Sequence, residues 1–120
     1  MKPELIKTEA SSNAGGYKAT TALLQLINKP IAIFVADELM TLGAIDTLNK
    51  HDIDYIHDIK LIGLSNSEWS NIVNPNLSVL SIPSTDIGII ATKTIIDIAK
   101  ASSEGKVPNT YLPTELIIKD

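Results

Sequence analysis

"IAIFVADELMTLGAI", residues 31–45, joins an apolar strand to a helix through two acidic residues. Residues 31–36 are apolar and rich in β-branched side chains without alternation, a pattern typical of a parallel strand covered on both faces. Asp37 and Glu38 follow directly, and the spacing after them predicts a helix that ends near Lys50. A strand that leads straight into a helix is half of a βαβ unit, so this stretch predicts an α/β fold.

The rest of the chain repeats this alternation of apolar strands and helices. Alternation at this spacing predicts a mainly parallel sheet flanked by helices, in three α/β/α layers. The expected strands are 6–8, 31–36, 59–64 and 77–82, with one or two short strands in 110–120, and the expected helices are 17–27, 37–50 and 84–101.

Composition excludes several classes of protein. The 120 residues, 44 % of them hydrophobic, suit one domain with a modest core. Without cysteine the chain has no disulfides or thiolate metal sites. A net charge of −4 without any arginine makes it a poor nucleic-acid binder by itself, because Arg and Lys supply most phosphate contacts. No apolar run reaches the ~18–20 residues of a membrane span, and the N-terminus lacks a secretory signal, which allows a cytoplasmic location.

Polar residues follow three of the expected strands at their carboxyl ends, where open α/β sheets bind ligands. These residues are 11–16, the pair Asp37 and Glu38, and 65–67. Their hydroxyl, amide and carboxylate groups suit hydrogen bonds to a small polar molecule such as a sugar or nucleoside. A purely structural role is the alternative, because Asp is a favoured helix N-cap and Ser-Asn pairs form turns.

The helix expected after Asp37 is apolar on most of its sides. On a wheel of residues 39–50, one stripe holds Met40 and Leu48, while Leu42 and Ile45 continue round the other side. One side is expected to lie on the sheet, and the other on a second subunit or on a part of the protein outside this chain. The alternative is a helix covered entirely from within its own chain.

Signatures of catalysis and metal binding are absent from the sequence. His51 and His57 lack metal-ligand spacing, and no G-x-S-x-G or phosphate-binding glycine motif occurs. Trp69 could stack on a ligand, although packing in a core or interface is the more common role of a Trp. We therefore expect no catalytic residues, no metal and no cofactor.

Four segments in a fixed order carry a resemblance to a known family. They are GYKATTALLQL (16–26), KPIAIFVADELMTLGAIDTLNKHDI (29–53), IKLIGLSNSEWSNIVNPNLSVLSIPSTDIGIIATKTIIDIAK (59–100) and YLPTELIIKD (111–120). Together they resemble the C-terminal half of LacI/GalR-type transcriptional regulators. The resemblance implies a type I periplasmic-binding-protein-like domain, with two α/β lobes around an effector cleft, that forms homodimers.

The same resemblance implies an organisation into lobes. Residues 1–82 and 110–120 would form the C-terminal lobe, and 83–109 would return to the N-terminal lobe. The helix-turn-helix DNA-binding domain of such regulators is absent from this chain, so DNA would be bound only through that missing domain.

Effector-binding positions are also implied by the resemblance. Asp37 would hydrogen-bond the effector, and Ser65, Asn66 and Ser11 would line the wall of the cleft. Ser65 stands where relatives usually carry an Asp that binds sugar hydroxyls, and Ile82 stands where Gln is frequent at the crossover between lobes.

Partner contacts complete the set of expectations. Leu42, Ile45 and Ile72 would contribute to the dimer interface of a repressor that responds to a sugar or a related metabolite. Lys93 is a candidate for contact with a phosphocarrier protein as in some relatives, although a solvated helix face explains this residue equally well. The alternative function is a sugar-binding component of a transport system, which shares the fold, and the third is an enzyme on a flavodoxin-like sheet, for which no motif is present.

Overall fold

The computed structural model describes residues 2–65, 72, 75–100 and 109–119. The elements appear in the predicted order, with boundaries that differ from the predicted ones by a few residues. A short 3-10 turn at Pro3–Leu5 precedes helices α1 (Asn13–Leu24), α2 (Glu38–Lys50) and α3 (Ser84–Lys100) and strands β1 (Ala32–Val35), β2 (Lys60–Ser65), β3 (Ser78–Ser81) and β4 (Glu115–Ile117).

The four strands form one sheet in the order β1-β2-β3-β4. Strands β1, β2 and β3 are parallel, with Ile33 opposite Leu61 and Gly63 opposite Val79. Strand β4 returns antiparallel to β3 and places Ile117 opposite Val79. The predicted mainly parallel sheet is confirmed, and β1 lies at one of its edges.

The prediction of a strand at residues 6–8 is wrong. This part of the chain is extended, with φ −102° and ψ 122° at Ile6, but it pairs with no strand in the described part of the molecule. A β-strand requires backbone hydrogen bonds to a neighbouring strand, and a gap separates these extended residues from β1.

Helices α1 and α2 cover one face of the sheet. The side chains of Ile33, Val35, Leu61 and Val79 point to this face and are buried beneath the helices. On the opposite face the side chain of Phe34 is 55 % exposed. The described residues therefore form two of the three expected layers.

Helix α2 contacts both the sheet and α1, which explains why it is apolar on more than one side. Ala44 and Leu48 are fully buried, and Ile45 is 8 % exposed within the core of its own chain. Helix α1 packs on the side of α2 that carries Met40 and Gly43, whereas Leu42 is half-buried, so its contact with another subunit stays a prediction. The alternative of a helix covered from within is correct for most of its surface.

Two glycines allow α1 and α2 to approach each other closely. A Cβ atom added to Gly16 would collide with the carbonyl oxygen of Met40, and one added to Gly43 would collide with the carbonyl oxygen of Asn13. Each helix thus presents a glycine to the backbone of the other. The short distance between the helices requires that both positions lack a side chain.

Candidate functional site

The two helices that cover the sheet both begin at its carboxyl edge with a capping side chain. The hydroxyl of Ser12 accepts a hydrogen bond from the backbone N–H of Gly15 at 3.0 Å. The Oδ1 atom of Asp37 accepts one from the N–H of Met40 at 2.8 Å. The interpretation of Asp37 as a helix N-cap is therefore confirmed by the geometry.

The second carboxylate oxygen of Asp37 links two of the predicted loops. Ser11 donates its hydroxyl hydrogen to Asp37 Oδ2 at 2.6 Å, across 26 positions of sequence. This hydrogen bond, followed in importance by that from Met40 N–H, lowers the pKa of Asp37 below its ordinary value. Asp37 is therefore an anion at neutral pH, and both of its oxygens are oriented by the protein.

Glu38, the residue after Asp37, makes a similar contact with a different loop. The hydroxyl of Ser65, a residue only 4 % exposed, donates to Glu38 Oε1 at 3.0 Å. The carbonyl oxygen of Ser65 accepts from the N–H of Ile82 at 3.2 Å, which holds the crossover after β3 against the end of β2. Two adjacent carboxylates thus reach in opposite directions to serines from two different loops.

We call Ser11, Asp37, Glu38 and Ser65 together the carboxyl rim. Because the three loops do meet there, the predicted convergence at the carboxyl ends of the strands is confirmed for these four residues. Neither carboxylate of the rim forms an ion pair with any residue that the structure describes. Such a pair of oriented, unneutralised carboxylates can accept hydrogen bonds from hydroxyl or amino groups of a ligand.

Glu38 is the rim residue to which the sequence assigned no specific contact. Its position after a strand was noticeable, but adjacent residues at a helix start point in different directions. Only the folded structure shows that Glu38 reaches Ser65 while Asp37 reaches Ser11. Asn66, the remaining predicted effector-binding residue, lies outside the described residues, as does Trp69.

The predicted dimer residues occupy three different environments. Ile72 is 83 % exposed, Leu42 is half-buried on α2, and Ile45 is committed to the core of its own chain. Lys93, which was considered for a phosphocarrier contact, is exposed on α3. The predicted roles of these residues in binding partners stay predictions.

Both histidines have local structural contacts. The Nδ1 atom of His51 lies 2.8 Å from the carbonyl oxygen of Thr47 at the end of α2. The Nδ1 atom of His57 lies 2.7 Å from Asp54 Oδ2, and this contact is the main cause that lowers the pKa of Asp54. In the described part of the chain, no three His, Cys, Asp or Glu side chains gather as metal ligands would.

A cavity of about 560 Å³ opens beside β1. It lies between the extended segment Leu5–Glu9 and residues 30–37, with Ala19 and Leu23 of α1 among the side chains that line it. Asp37 is at the end of this cavity, where the segment and the strand come together. The sequence offered one signal of it, the strand-like pattern of residues 6–8.

Comparison with known proteins shows a family and a fold. The model of the periplasmic binding protein-like domain family matches residues 2–120. Catabolite control protein A of Priestia megaterium is 35 % identical over 78 residues, which are 65 % of this chain and 24 % of that protein. The chain spans between 24 % and 46 % of the length of the first curated relatives.

Solved structures agree with this family. A LacI-type transcriptional regulator from Bacillus cereus subsp. cytotoxis superposes with a TM-score of 0.90 at 25 % identity, covering 99 % of this chain and 42 % of that one. A LacI family regulator from Enterococcus faecium with bound ribose gives a TM-score of 0.76 at 21 % identity, covering 90 % of this chain and 39 % of that one. Among the described residues, no helix is long and apolar enough to cross a membrane.

Proposed function

The chain belongs to the periplasmic binding protein-like domain family, and we propose that it is the effector-binding and dimerising part of a LacI-type transcriptional repressor. The carboxyl rim is the observation that carries this proposal, since it gathers oriented hydrogen-bond acceptors where α/β sheets bind ligands. DNA would be bound only through a helix-turn-helix domain outside this chain. The whole regulator would act in the cytoplasm.

We assign the rim to a small hydroxylated effector, a sugar or a related metabolite. Asp37 and Glu38 accept hydrogen bonds from its hydroxyl groups. Ser11 lines the wall of the cleft, and Asn66 lines it too, as the family resemblance implies. Ser65 lacks the carboxylate that relatives usually carry at this position, but Glu38 Oε1 lies 3.0 Å from its hydroxyl. Glu38 thus supplies a carboxylate beside the position where the usual Asp is missing.

The lobe assignment of α3 has support in its exposure. None of its residues is buried, and the side chains of Ile87 and Ile95 are 44 % and 66 % exposed. Exposed isoleucines at helical spacing suit a helix that is covered by another lobe. We therefore propose that residues 83–109 return to an N-terminal lobe, while 1–82 and 110–120 form the C-terminal lobe.

In this proposal the effector acts by shifting a conformational equilibrium. A molecule bound to the rim and to the opposing lobe favours one angle between the two lobes over another. Through the dimer, that angle sets the spacing of the DNA-binding domains, so effector and DNA affect each other's affinity. Leu42 and Ile72 are the candidates for the subunit contact, and sedimentation of Leu42→Glu beside the wild type tests them: equal association of both proteins would contradict the contact.

An effector titration followed by nuclear magnetic resonance tests the role of the rim. We expect ribose, other pentoses, hexoses or nucleosides to shift the amide signals of Ser11, Asp37, Glu38 and Ser65 in the 120-residue chain. Glu38→Gln should weaken the binding about tenfold, because a hydrogen bond to a charged acceptor contributes roughly 1.5–3 kcal/mol.

The matched control exchanges a carboxylate for an amide away from the rim. Asp46 on α2 accepts a hydrogen bond from Asn13 Nδ2 at 3.0 Å, and Asp46→Asn should leave the titration unchanged. Shifts confined to other parts of the chain, or equal effects of both substitutions, would contradict the proposed site.

The second candidate is a sugar-binding component of a transport system, which the family description and the carboxyl rim suit equally. The N-terminal part of the full-length protein separates the two candidates. A secretory signal there would favour transport, and a helix-turn-helix would favour regulation.

A further inference from the structure

The side chains of the carboxyl rim accept hydrogen bonds and have no hydroxyl hydrogen left to donate. Ser11 directs its hydroxyl hydrogen to Asp37 Oδ2 at 2.6 Å, and Ser65 directs its own to Glu38 Oε1 at 3.0 Å. A serine hydroxyl has only one hydrogen, so both are already used inside the rim. The four side chains therefore offer a ligand oxygen atoms that act as acceptors.

The two carboxylates of the rim differ in how fully the protein engages them. Both oxygens of Asp37 accept hydrogen bonds, one from Met40 N–H at 2.8 Å and the other from Ser11. Glu38 accepts through Oε1 only, and within the described part of the chain no donor reaches its Oε2 atom. The side chain is half-buried and contacts a serine that is only 4 % exposed. Glu38 Oε2 is thus the rim acceptor that is free for a ligand.

No lysine that the structure describes forms an ion pair with either rim carboxylate. Lys18 is already paired with Glu9 at 2.9 Å. Lys50 ends α2 and Lys60 begins β2, so both lie at the amino edge of the sheet, opposite the rim. A further acid, Glu115, begins the antiparallel strand β4 and so lies at the same edge as the rim. The carboxyl edge therefore carries acids that the described lysines do not neutralise.

An unneutralised carboxylate becomes costly when a cleft closes over it. The loss of its water has to be compensated by hydrogen bonds and by an opposite charge. A neutral hydroxyl group supplies one hydrogen, and its own oxygen then needs a donor that the rim side chains lack. A protonated amino group supplies three hydrogens and a positive charge, and it has no lone pair to satisfy. An ammonium group is thus the complement of Glu38 in both charge and hydrogen bonding.

We propose that the effector carries a protonated amino group on its hydroxylated skeleton, and that this ammonium group binds Glu38 Oε2. The chemical class is an amino sugar or an aminopolyol. The inference rests on the proposed function, which places the ligand at the rim because three loops meet at the carboxyl ends of the strands, and not because of charge. Glu38 then selects the charge of the effector, while Asp37 accepts hydrogen bonds from its hydroxyl groups.

Matched ligands that differ in charge test the proposal. The probes are glucosamine beside glucose, and 1-amino-1-deoxyglucitol beside glucitol. Each is titrated into the 120-residue chain at about pH 6, where the amino groups are protonated, and the amide signals of Glu38 and Ser65 are followed by nuclear magnetic resonance. We expect the charged member of at least one pair to bind at least about tenfold more tightly than its neutral partner. N-acetylglucosamine, which lacks the charge, should bind no more tightly than glucose.

Two glutamate substitutions separate Glu38 from the general charge of the carboxyl edge. Glu38→Gln keeps the size of the side chain and removes its charge, so the charged and neutral probes should then bind within about twofold of each other. Glu115→Gln makes the same change at the same edge. Because Glu115 is exposed, water and salt screen its charge, and this variant should keep most of the preference.

The folding of the variants is checked separately. Far-ultraviolet circular dichroism of each free variant shows whether it is folded. If Glu38→Gln is not, the comparison of glucosamine with N-acetylglucosamine on the wild-type chain decides the question, since both keep the same sugar ring and only the first carries a charge.

Three outcomes would overturn the proposal. The first is equal or tighter binding of the neutral probes with shifts at the rim, which would remove the amino group from the effector and keep the proposed function. The second is the absence of rim shifts with both charged probes at millimolar concentration, while the separate titration with ribose, other neutral sugars and nucleosides still judges the proposed function. The third is an equal loss of preference in Glu38→Gln and Glu115→Gln, which would make the whole edge the source of the attraction.

Discussion

Helices α2 and α3 have similar compositions and opposite surroundings. Both carry Ile, Ala and Thr at helical spacing, and α3 is the longer of the two. In α2, Ala44 and Leu48 have no exposed surface, whereas α3 has no buried residue at all and Ile95 is 66 % exposed. The difference shows that an apolar helix face predicts burial of that face but does not identify the surface that buries it.

The sheet shows the same contrast between its two sides. Its helix-covered face is completed by residues of this chain, down to the glycines that let α1 and α2 touch. Its free edge at β1 borders a cavity, and no strand in the described part of the molecule pairs with that edge. One region of the chain is thus a finished core, and the other consists of surfaces that the described residues leave uncovered.

The largest difference in stability between the two regions is expected when a buried and an exposed side chain are each truncated to alanine. We expect Leu48→Ala to lower the free energy of unfolding by about 2–5 kcal/mol, because it removes a fully buried side chain and leaves a cavity. The matched change Ile95→Ala on α3 should alter it by less than about 0.5 kcal/mol. Urea denaturation followed by circular dichroism measures both. Similar losses for the two variants would mean that α3 is covered in solution and would break the comparison.

A pair of glycine substitutions should give the next largest difference. Gly43→Ala places a Cβ against the backbone of α1 and should cost about 1–3 kcal/mol in the free energy of unfolding. Gly88→Ala on α3 meets no atom within 4 Å, and alanine is favoured over glycine in a helix by up to about 1 kcal/mol. We therefore expect opposite signs, visible as lower stability in the first variant and as equal or higher helicity in the second. Destabilisation by Gly88→Ala would contradict an uncovered α3.

The pH dependence of stability should show the smallest of these effects, and it tests the hydrogen bonds of the carboxyl rim. The pKa of Asp37 is lowered in the folded state by the hydrogen bonds from Ser11 and Met40. A carboxyl group that binds its proton less readily when folded stabilises the fold above its unfolded pKa, and this contribution is lost as the pH falls through the folded value, below about pH 4. Asp37→Asn keeps an N-cap but cannot ionise, so its stability should decline less steeply between about pH 4 and pH 2.

Ser11→Ala provides the companion measurement for this acid range. It removes the hydrogen bond that contributes most to the lowered pKa of Asp37, so it should also reduce the acid dependence of unfolding in urea. The lowered pKa of Asp54 leaves a further acid dependence in both variants. Acid profiles of Ser11→Ala and Asp37→Asn that coincide with that of the wild type would contradict the role given to the rim hydrogen bonds.

Much of the fold and part of the site could be predicted from the sequence. The apolar run before Asp37 and the helical spacing after it predicted β1 and α2 almost to the residue. The convergence of Ser11, Asp37 and Ser65 followed from the rule that parallel strands end at one edge of their sheet. Local pattern and chain direction are enough for these predictions, because neither depends on how the elements pack against one another.

The sequence by itself determined the order of elements, the parallel sheet and the collection of polar loops at its carboxyl edge, since these follow from periodicity and from the direction of the chain. Tertiary structure alone decided that α1 packs on the Gly43 side of α2, that Ile45 lies in the core, and that Glu38 reaches Ser65. It also decided that residues 6–8 face a gap. The physical reason is that burial and strand pairing are relations between two surfaces, and a local pattern specifies only one of them.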